Sequence, residues 1–575
     1  MTTRNPLAGF GGDDQEEEMR KRIALHALVA GSLLMCACDL SDDAPYNDSI
    51  TAEELSADLH YLAGDEMRGR LVGTPDIERA AEFIASRFES LELEPGGEDG
   101  SFYEPFDLAW FSLAGESQLI VTGEGFTGRS RGIGQEFYPL NFSATAMAEG
   151  ELTFVGFGIV EPAFSYDDYS GGDVSGKIVM VLEREPGVDD PESGFDGVVT
   201  ANASTGWRKV LAAQERGATG VLFVRDIQNR PAISDFAQAA RDYWPSLPRR
   251  IERFTLGLWM DRIRIPVVQI SAGLAERLVA GTGRTLRELA AASENDTGLG
   301  PIDLPGPVVS MQTSVERHTT PARNVVGLIE GADPVLRNEV VIITAHHDHN
   351  GAEGANVFNG ADDDGSGIVG LLEIAEAYAE ATRDGQRPRR TVIFAAWDAE
   401  ERGLLGAWYH TERPRFALGD IAAVLNMDMI GRNEEVPEDG GNRFRGLEVQ
   451  TAESNANAIN ILGQTYSADM KATVEEANEM YGLELKFRYD NNRSNLLRRS
   501  DHWPFLQNGV PALWFHTGLH PDYHTPDDTP ERIEYEKMER IARLVHRTSW
   551  SIAQAELRPT YSLELRPVAA EGVGR

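Results

Sequence analysis

Three hydrophobic runs between residues 340 and 431, each ending in a cluster of acids or histidines, constrain this chain more than any other feature. Val340-Val341-Ile342-Ile343-Thr344-Ala345 leads into His346-His347-Asp348-His349, Thr391–Trp397 into Asp398-Ala399-Glu400-Glu401, and residues 421–425 into Asn426-Met427-Asp428. Short apolar runs rich in Val and Ile read as buried strands of a sheet covered on both faces. Between the first two runs lies Asn359-Gly360-Ala361-Asp362-Asp363-Asp364-Gly365-Ser366-Gly367, followed over 368–382 by apolar residues at helical spacing. The unit is therefore strand, loop, helix, strand. Crossovers of this kind are right-handed, and in open α/β sheets ligands collect beyond the carboxyl ends of the strands, where these acids and histidines fall. A fourth piece has the same form: Pro511-Ala512-Leu513-Trp514-Phe515 runs into His516 and then Pro521-Asp522-Tyr523-His524-Thr525-Pro526.

Gathering Asp363, Glu401, Asp428 and the neighbouring acids at one sheet edge raises their pKa values by mutual repulsion unless a cation neutralises them. The pattern thus predicts a metal site. Mixed imidazole and carboxylate donors suit zinc better than calcium or magnesium, and more carboxylates than one tetrahedral ion needs point to a pair of ions.

With these motifs in order, the chain resembles the di-zinc exopeptidases that include bacterial leucyl-type aminopeptidases and glutamate carboxypeptidases. The resemblance implies that His346 and Asp428 hold one zinc, that Glu401 and His524 hold the other, and that Asp363 bridges them. It further implies that Glu400 is the general base acting on a metal-bridging water, and that Asp348 orients the His346 imidazole. His347 and His349 are expected to line the site without ligation, because alternation along an extended segment points neighbours apart. Asp362 and Asp364 are expected either to cap the following helix or to support the ligands. Arg499-Ser500-Asp501-His502-Trp503-Pro504-Phe505 matches a further family motif, which gives Asp501 and His502 supporting roles.

The chain has 575 residues, enough for two domains and a leader, and its 53 basic and 92 acidic residues give a formal charge of -39. That sign disfavours nucleic acid and anionic membrane surfaces as partners. The only two cysteines, Cys36 and Cys38, lie near the N-terminus, so the folded body is expected to carry no disulfide. Arg20-Lys21-Arg22 followed by an apolar stretch over 23–35 has the form of an export signal, too short to span a bilayer, with Met19 as its expected start. Cys36-Ala37-Cys38 resembles a bacterial lipoprotein site, which would anchor the exported chain by a lipid at Cys38.

The expected architecture is a mixed, largely parallel α/β sheet flanked by helices, with a β-rich insert. Residues 1–38 are assigned to the signal peptide, 39–49 to a linker, 50–136 and 312–556 to the catalytic domain, 137–311 to the insert and 557–575 to a tail without pattern. Within the insert, 154–159, 176–181, 220–224 and 265–270 read as strands and 206–216 as a helix; together they resemble a protease-associated domain. The expected activity is removal of N-terminal residues from peptides. The alternatives are a carboxypeptidase, in which Arg498 or Arg499 holds the terminal carboxylate, and a binding protein built on the same fold.

Overall fold

The computed structural model describes residues 44–195 and 197–562. The expected export signal and Cys38 fall outside them, as does most of the tail. From Pro45 onward the described residues form one compact unit built around two sheets.

In the larger sheet the strands Thr391–Trp397, Val340–His346, Ile421–Met427 and Ala512–His516 lie side by side and parallel. The first three are buried along their whole length, as continuous Val, Ile and Ala runs require when both faces are covered. Helices Gly367–Arg383 and Tyr535–Gln554 pack against Val340–His346, while the short helix His502–Leu506 packs against Ile421–Met427 and Ala512–His516. Antiparallel strands extend the sheet: Val315–Ile329 and Tyr103–Leu113 on one side, Ala458–Leu462 on the other. The sheet is therefore mixed with a parallel centre, and the sequence runs at 340, 391, 421 and 511 fall on its central strands to within two residues.

The smaller sheet holds the insert. Ala146–Phe154, Ile178–Leu182, Gly220–Val224 and Val267–Ile270 are parallel neighbours, and Ile302–Thr313 pairs antiparallel with both Ala146–Phe154 and Gln118–Thr122. Two expectations need correction here. Gln118–Thr122 already belongs to this sheet, so its boundaries lie near 114 and 314 rather than at 137 and 311; the chain passes from sheet to sheet with almost no linker. Thr255–Leu256 meanwhile returns to pair with Tyr103–Leu113 of the larger sheet. Residues 155–159 are not a strand, because Gly156 and Gly158 take φ of 53° and 70° and turn the chain, although Val155, Phe157 and Ile159 remain in the core.

One ion-pair cluster on the outer helices makes stability depend on pH. Glu373, on Gly367–Arg383, is 4 % exposed and shares the Arg87 guanidinium with Asp58 and Glu376. Burial first, then Glu376 and Glu54, push its carboxyl up to about 8 from the ordinary 4.5. A carboxyl whose pKa is higher in the folded than in the unfolded chain holds an extra proton between those two values, so its contribution to stability falls as pH rises through that window. Glu373→Gln should therefore make the decline of Tm between about pH 5 and pH 8 shallower and raise Tm near pH 8; an unchanged slope in thermal unfolding across that range contradicts the assignment.

Candidate metal centre

All four central strands release their loops at the same edge, and that register brings the motifs together. His346 ends its strand, Asp363 sits in the turn before Gly367–Arg383, Glu400 and Glu401 follow Thr391–Trp397, Asp428 follows Ile421–Met427, and His524 lies in the loop after Ala512–His516. His346 Nε2 is 3.2 Å from Asp363 Oδ1 and 3.8 Å from both Glu400 Oε2 and Asp428 Oδ1. His524 Nε2 is 2.9 Å from Asp363 Oδ2 and 3.1 Å from Glu401 Oε2. Asp363 thus turns one oxygen toward each group, the arrangement a bridging carboxylate needs.

Backbone hydrogen bonds set these positions. Asp364 accepts the amides of His346, Met429 and Gly367, at 3.1, 3.2 and 2.9 Å, so it caps the helix and also ties the first and third ligand loops together. Asp362 Oδ1 accepts the Gly431 amide at 2.6 Å, while Asp528 accepts the amides of both Asp362 and Asp363. Gly367 has to be glycine, because a Cβ there would lie 2.4 Å from the Met427 carbonyl. Ala399, Met429 and His524 adopt left-handed backbone conformations beside or at candidate donors, the kind of strain that concentrates at functional sites.

Three expected roles look different in three dimensions. The Asp348 carboxylate is 3.7 Å from His346 Nδ1, beyond hydrogen-bond range; the Asp348 carbonyl faces that nitrogen at 3.2 Å, and its carboxylate accepts the Glu400 amide at 2.8 Å. Asp348 therefore holds both the imidazole and the Glu400 backbone. His347 and His349 are both fully buried, and neither is among the residues that wall the cavity beside the site. His349 packs behind the centre, its Nδ1 2.7 Å from Glu401 Oε1 and 3.8 Å from Asp363 Oδ2, so it stands as a second imidazole beside the same carboxylates as His524. Asp501 is buried, its carboxylate without a hydrogen-bond partner among the described residues, and His502 is buried against the Leu497 backbone. Sequence reasoning also missed Ser500, whose hydroxyl bonds Asp428, and Trp514 and His516, which bond the Asp428 carbonyl at 3.0 and 3.1 Å.

The electrostatics are those of a site short of positive charge. Burial, with Asp428, Asp501 and Glu401 around it and His346 opposing, holds the Glu400 carboxyl well above its ordinary range. Burial would lower the His346 imidazole, but Glu400, Asp348, Asp363 and Asp428 outweigh it and hold it well above; His524, with Glu401 and Asp363 beside it, is pushed up to about 10 in the same way. Among the described residues, His346 Nε2 and Asp363 Oδ2 have no aligned hydrogen-bond partner. Ligand atoms of His346, Asp363 and Asp428, and separately of His349, Asp363 and Glu401, all lie within 4.8 Å of one another. Such nitrogen and carboxylate donor sets fit zinc. Beside them opens a cavity of about 260 Å³, walled by Glu400, Asp428, Met429, Arg499, Tyr523 and His524 among others.

A further network supports the turn that carries Glu400. Asn324 accepts the Asp398 amide at 3.0 Å and donates to Glu104 at 2.7 Å and to the Gly406 carbonyl at 3.0 Å; His410 Nδ1 meets the same glutamate at 3.0 Å. Asn324→Ala should cost about 1–3 kcal/mol for the stranded Asp398 amide alone. Urea unfolding checks this, and an undiminished unfolding free energy contradicts it.

A model of peptidase family M28 matches residues 324–549. A probable zinc metalloprotease of Pyrenophora tritici-repentis is 27% identical over 222 residues, covering 35% of this chain and 50% of that protein. The probable glutamate carboxypeptidase AMP1 of Arabidopsis thaliana is 28% identical over 408 residues, 68% of this chain and 51% of that protein. Aminopeptidase YwaD of Bacillus subtilis is 26% identical over 245 residues, 41% of this chain and 46% of that protein. The chain spans about half the length of the curated relatives it matches.

Proposed function

We propose that this chain, whose residues 324–549 match the model of peptidase family M28, is a zinc-dependent exopeptidase of that family that removes residues from the N-terminus of peptides. The observation that carries the proposal is the gathering of His346 and Asp428 on one side of Asp363 and of Glu401, His349 and His524 on the other, with Glu400 at the wall of the cavity. Two zinc ions at these donors would polarise the scissile carbonyl and lower the pKa of water.

The chain's own residues do the rest. Glu400, its backbone fixed by Asp348, takes a proton from the attacking water at its carboxylate and passes it to the leaving amine. Its raised pKa in the absence of a cation falls again once positive charge enters the centre, which leaves it able to act as a base. The acids at the wall would pair with a free α-amine. A cavity of about 260 Å³ lies at the small end of ligand-pocket sizes and suits a chain end better than a folded segment.

A carboxypeptidase reading draws support from Arg499, which lines the same cavity, and from the similarity to AMP1. Arg498 lines the cavity as well; its guanidinium donates to the Thr200 carbonyl at 3.1 Å and lies beside Glu185, while that of Arg499 donates to the Ser494 carbonyl.

Peptides with a free amine should be cleaved and their N-acetylated counterparts resist; equal rates reject the aminopeptidase, and C-terminal trimming promotes the alternative. Glu400→Gln should lower turnover by roughly two to four orders of magnitude with zinc retained, whereas Glu401→Gln should lose zinc as well. Elemental analysis beside turnover separates base from ligand, and the opposite pattern reverses the two roles.

A further inference from the structure

Arg70 is the most deeply buried cation near the centre, at 0 % exposure, and its hydrogen-bond partners among the described residues are all backbone carbonyls. Nε donates to His347 O at 2.9 Å, Nη1 to Leu62 O at 3.1 Å and Asn359 O at 2.7 Å, and Nη2 to Gly360 O at 2.9 Å. Burying a guanidinium without a carboxylate partner is costly, so a chain keeps one only where its geometry is needed. Here the fork joins the two ends of the connection between strand Val340–His346 and helix Gly367–Arg383: the segment of His346 and His349, and the segment that leads into Asp363.

The backbone around Arg70 serves the same contact. Residues 68–70 all take positive φ, and the carbonyls of Gly69 and Arg70 accept the amides of Gly351 and His349 at 2.8 and 3.1 Å. A Cβ on residue 69 would come within 2.3 Å of the Phe358 carbonyl and 2.4 Å of that of Gly351, so glycine is required for the close approach. Burial depresses the basicity of Arg70, and Asp364, Asp363, Asp348 and Asp528 oppose that effect, which places its charge within the field of the acid cluster.

We propose that Arg70 is a positioning residue of the metal centre: its guanidinium locks the 346–351 loop to the 359–364 loop and so presets the donor geometry, without touching metal or substrate. This rests on the metal reading given above. A lysine keeps the charge but has neither the planar fork nor enough donors to span four carbonyls, so charge and geometry can be separated.

The test uses the full chain, with zinc affinity measured by competition with a chromophoric chelator. Arg70→Lys should bind zinc about 10–100-fold more weakly than the unmodified chain, the usual cost of removing a residue that orients ligands, and the gain in Tm on adding zinc should shrink. Asn359→Ala is the control: the Asn359 amide ties the same loop to the Ala63 carbonyl and Asp65, at 2.9 and 3.0 Å, without involving the guanidinium. It should lower Tm with and without zinc and leave affinity close to that of the unmodified chain. Unaltered affinity in Arg70→Lys, or equal losses in both variants, overturns the proposal; an unmodified chain that binds no zinc overturns the metal reading itself. Hydrogen exchange on the unmodified, metal-free protein gives a measure that no folding defect can obscure. The amides of His349, Gly351 and Gly365 should stay protected without zinc, and fast exchange confined to these loops overturns the proposal.

Discussion

Mutual repulsion among buried carboxylates is the constraint around which the larger sheet and its loops are arranged. Asp348, Asp362, Asp363, Asp364, Asp398, Glu400, Asp428, Asp501 and Asp528 are all buried at one sheet edge, and taken alone they could not all ionise there. The fold answers in three ways. Backbone amides are aimed at Asp348, Asp362, Asp364, Asp398 and Asp528, which turns potential repulsion into stitching between loops. Fixed or protonatable cations, namely Arg70, His346, His349, His520 and His524, are interleaved with the acids. What is left uncompensated faces the cavity, and that remainder defines where a divalent ion fits and where a base can sit.

The insert is attached to this arrangement rather than suspended beside it. Trp207 of the helix Gly206–Glu215 stacks on Trp259 at 4.5 Å, and Trp259 in turn meets Trp408 of the catalytic helix Leu405–Glu412. Polar contacts reach both rims of the site. The Val198 amide and the Thr200 carbonyl bond Asn491 and Arg498, next to the cavity wall. On the other side Arg250 donates to the Asn350 carbonyl at 2.8 Å, and the Asn350 side chain donates to Glu401 at 2.9 Å. Such contacts join the insert to the loops that hold the donors.

The central strands were legible in the sequence because strands covered on both faces must be apolar throughout, and their loops because acids and histidines rarely follow such runs without a reason. The grouping of His346, Asp363, Glu401, Asp428 and His524 follows from register alone, once four parallel strands end together. Other features left no such trace. The insert boundary was misplaced because Tyr103–Leu113 passes almost directly into Gln118–Thr122, with no change of texture. The 154–159 run is apolar enough for a strand, and only the positive φ of its glycines removes it. His349 was set aside by an alternation rule that fails once the chain leaves the strand at His346. Arg70, between Gly69 and Leu71 in a loop with glycines and charged residues, reads as a solvated residue until the four carbonyls around it are placed.

Anomalous scattering collected on both sides of the zinc absorption edge, from crystals grown with zinc, tests the metal centre most directly. Two peaks per chain are predicted, one among His346, Asp363 and Asp428 and the other among Asp363, Glu401 and His524, with Asp363 between them. One peak alone contradicts the paired centre, and zinc bound elsewhere with none at this sheet edge contradicts a metal centre here altogether.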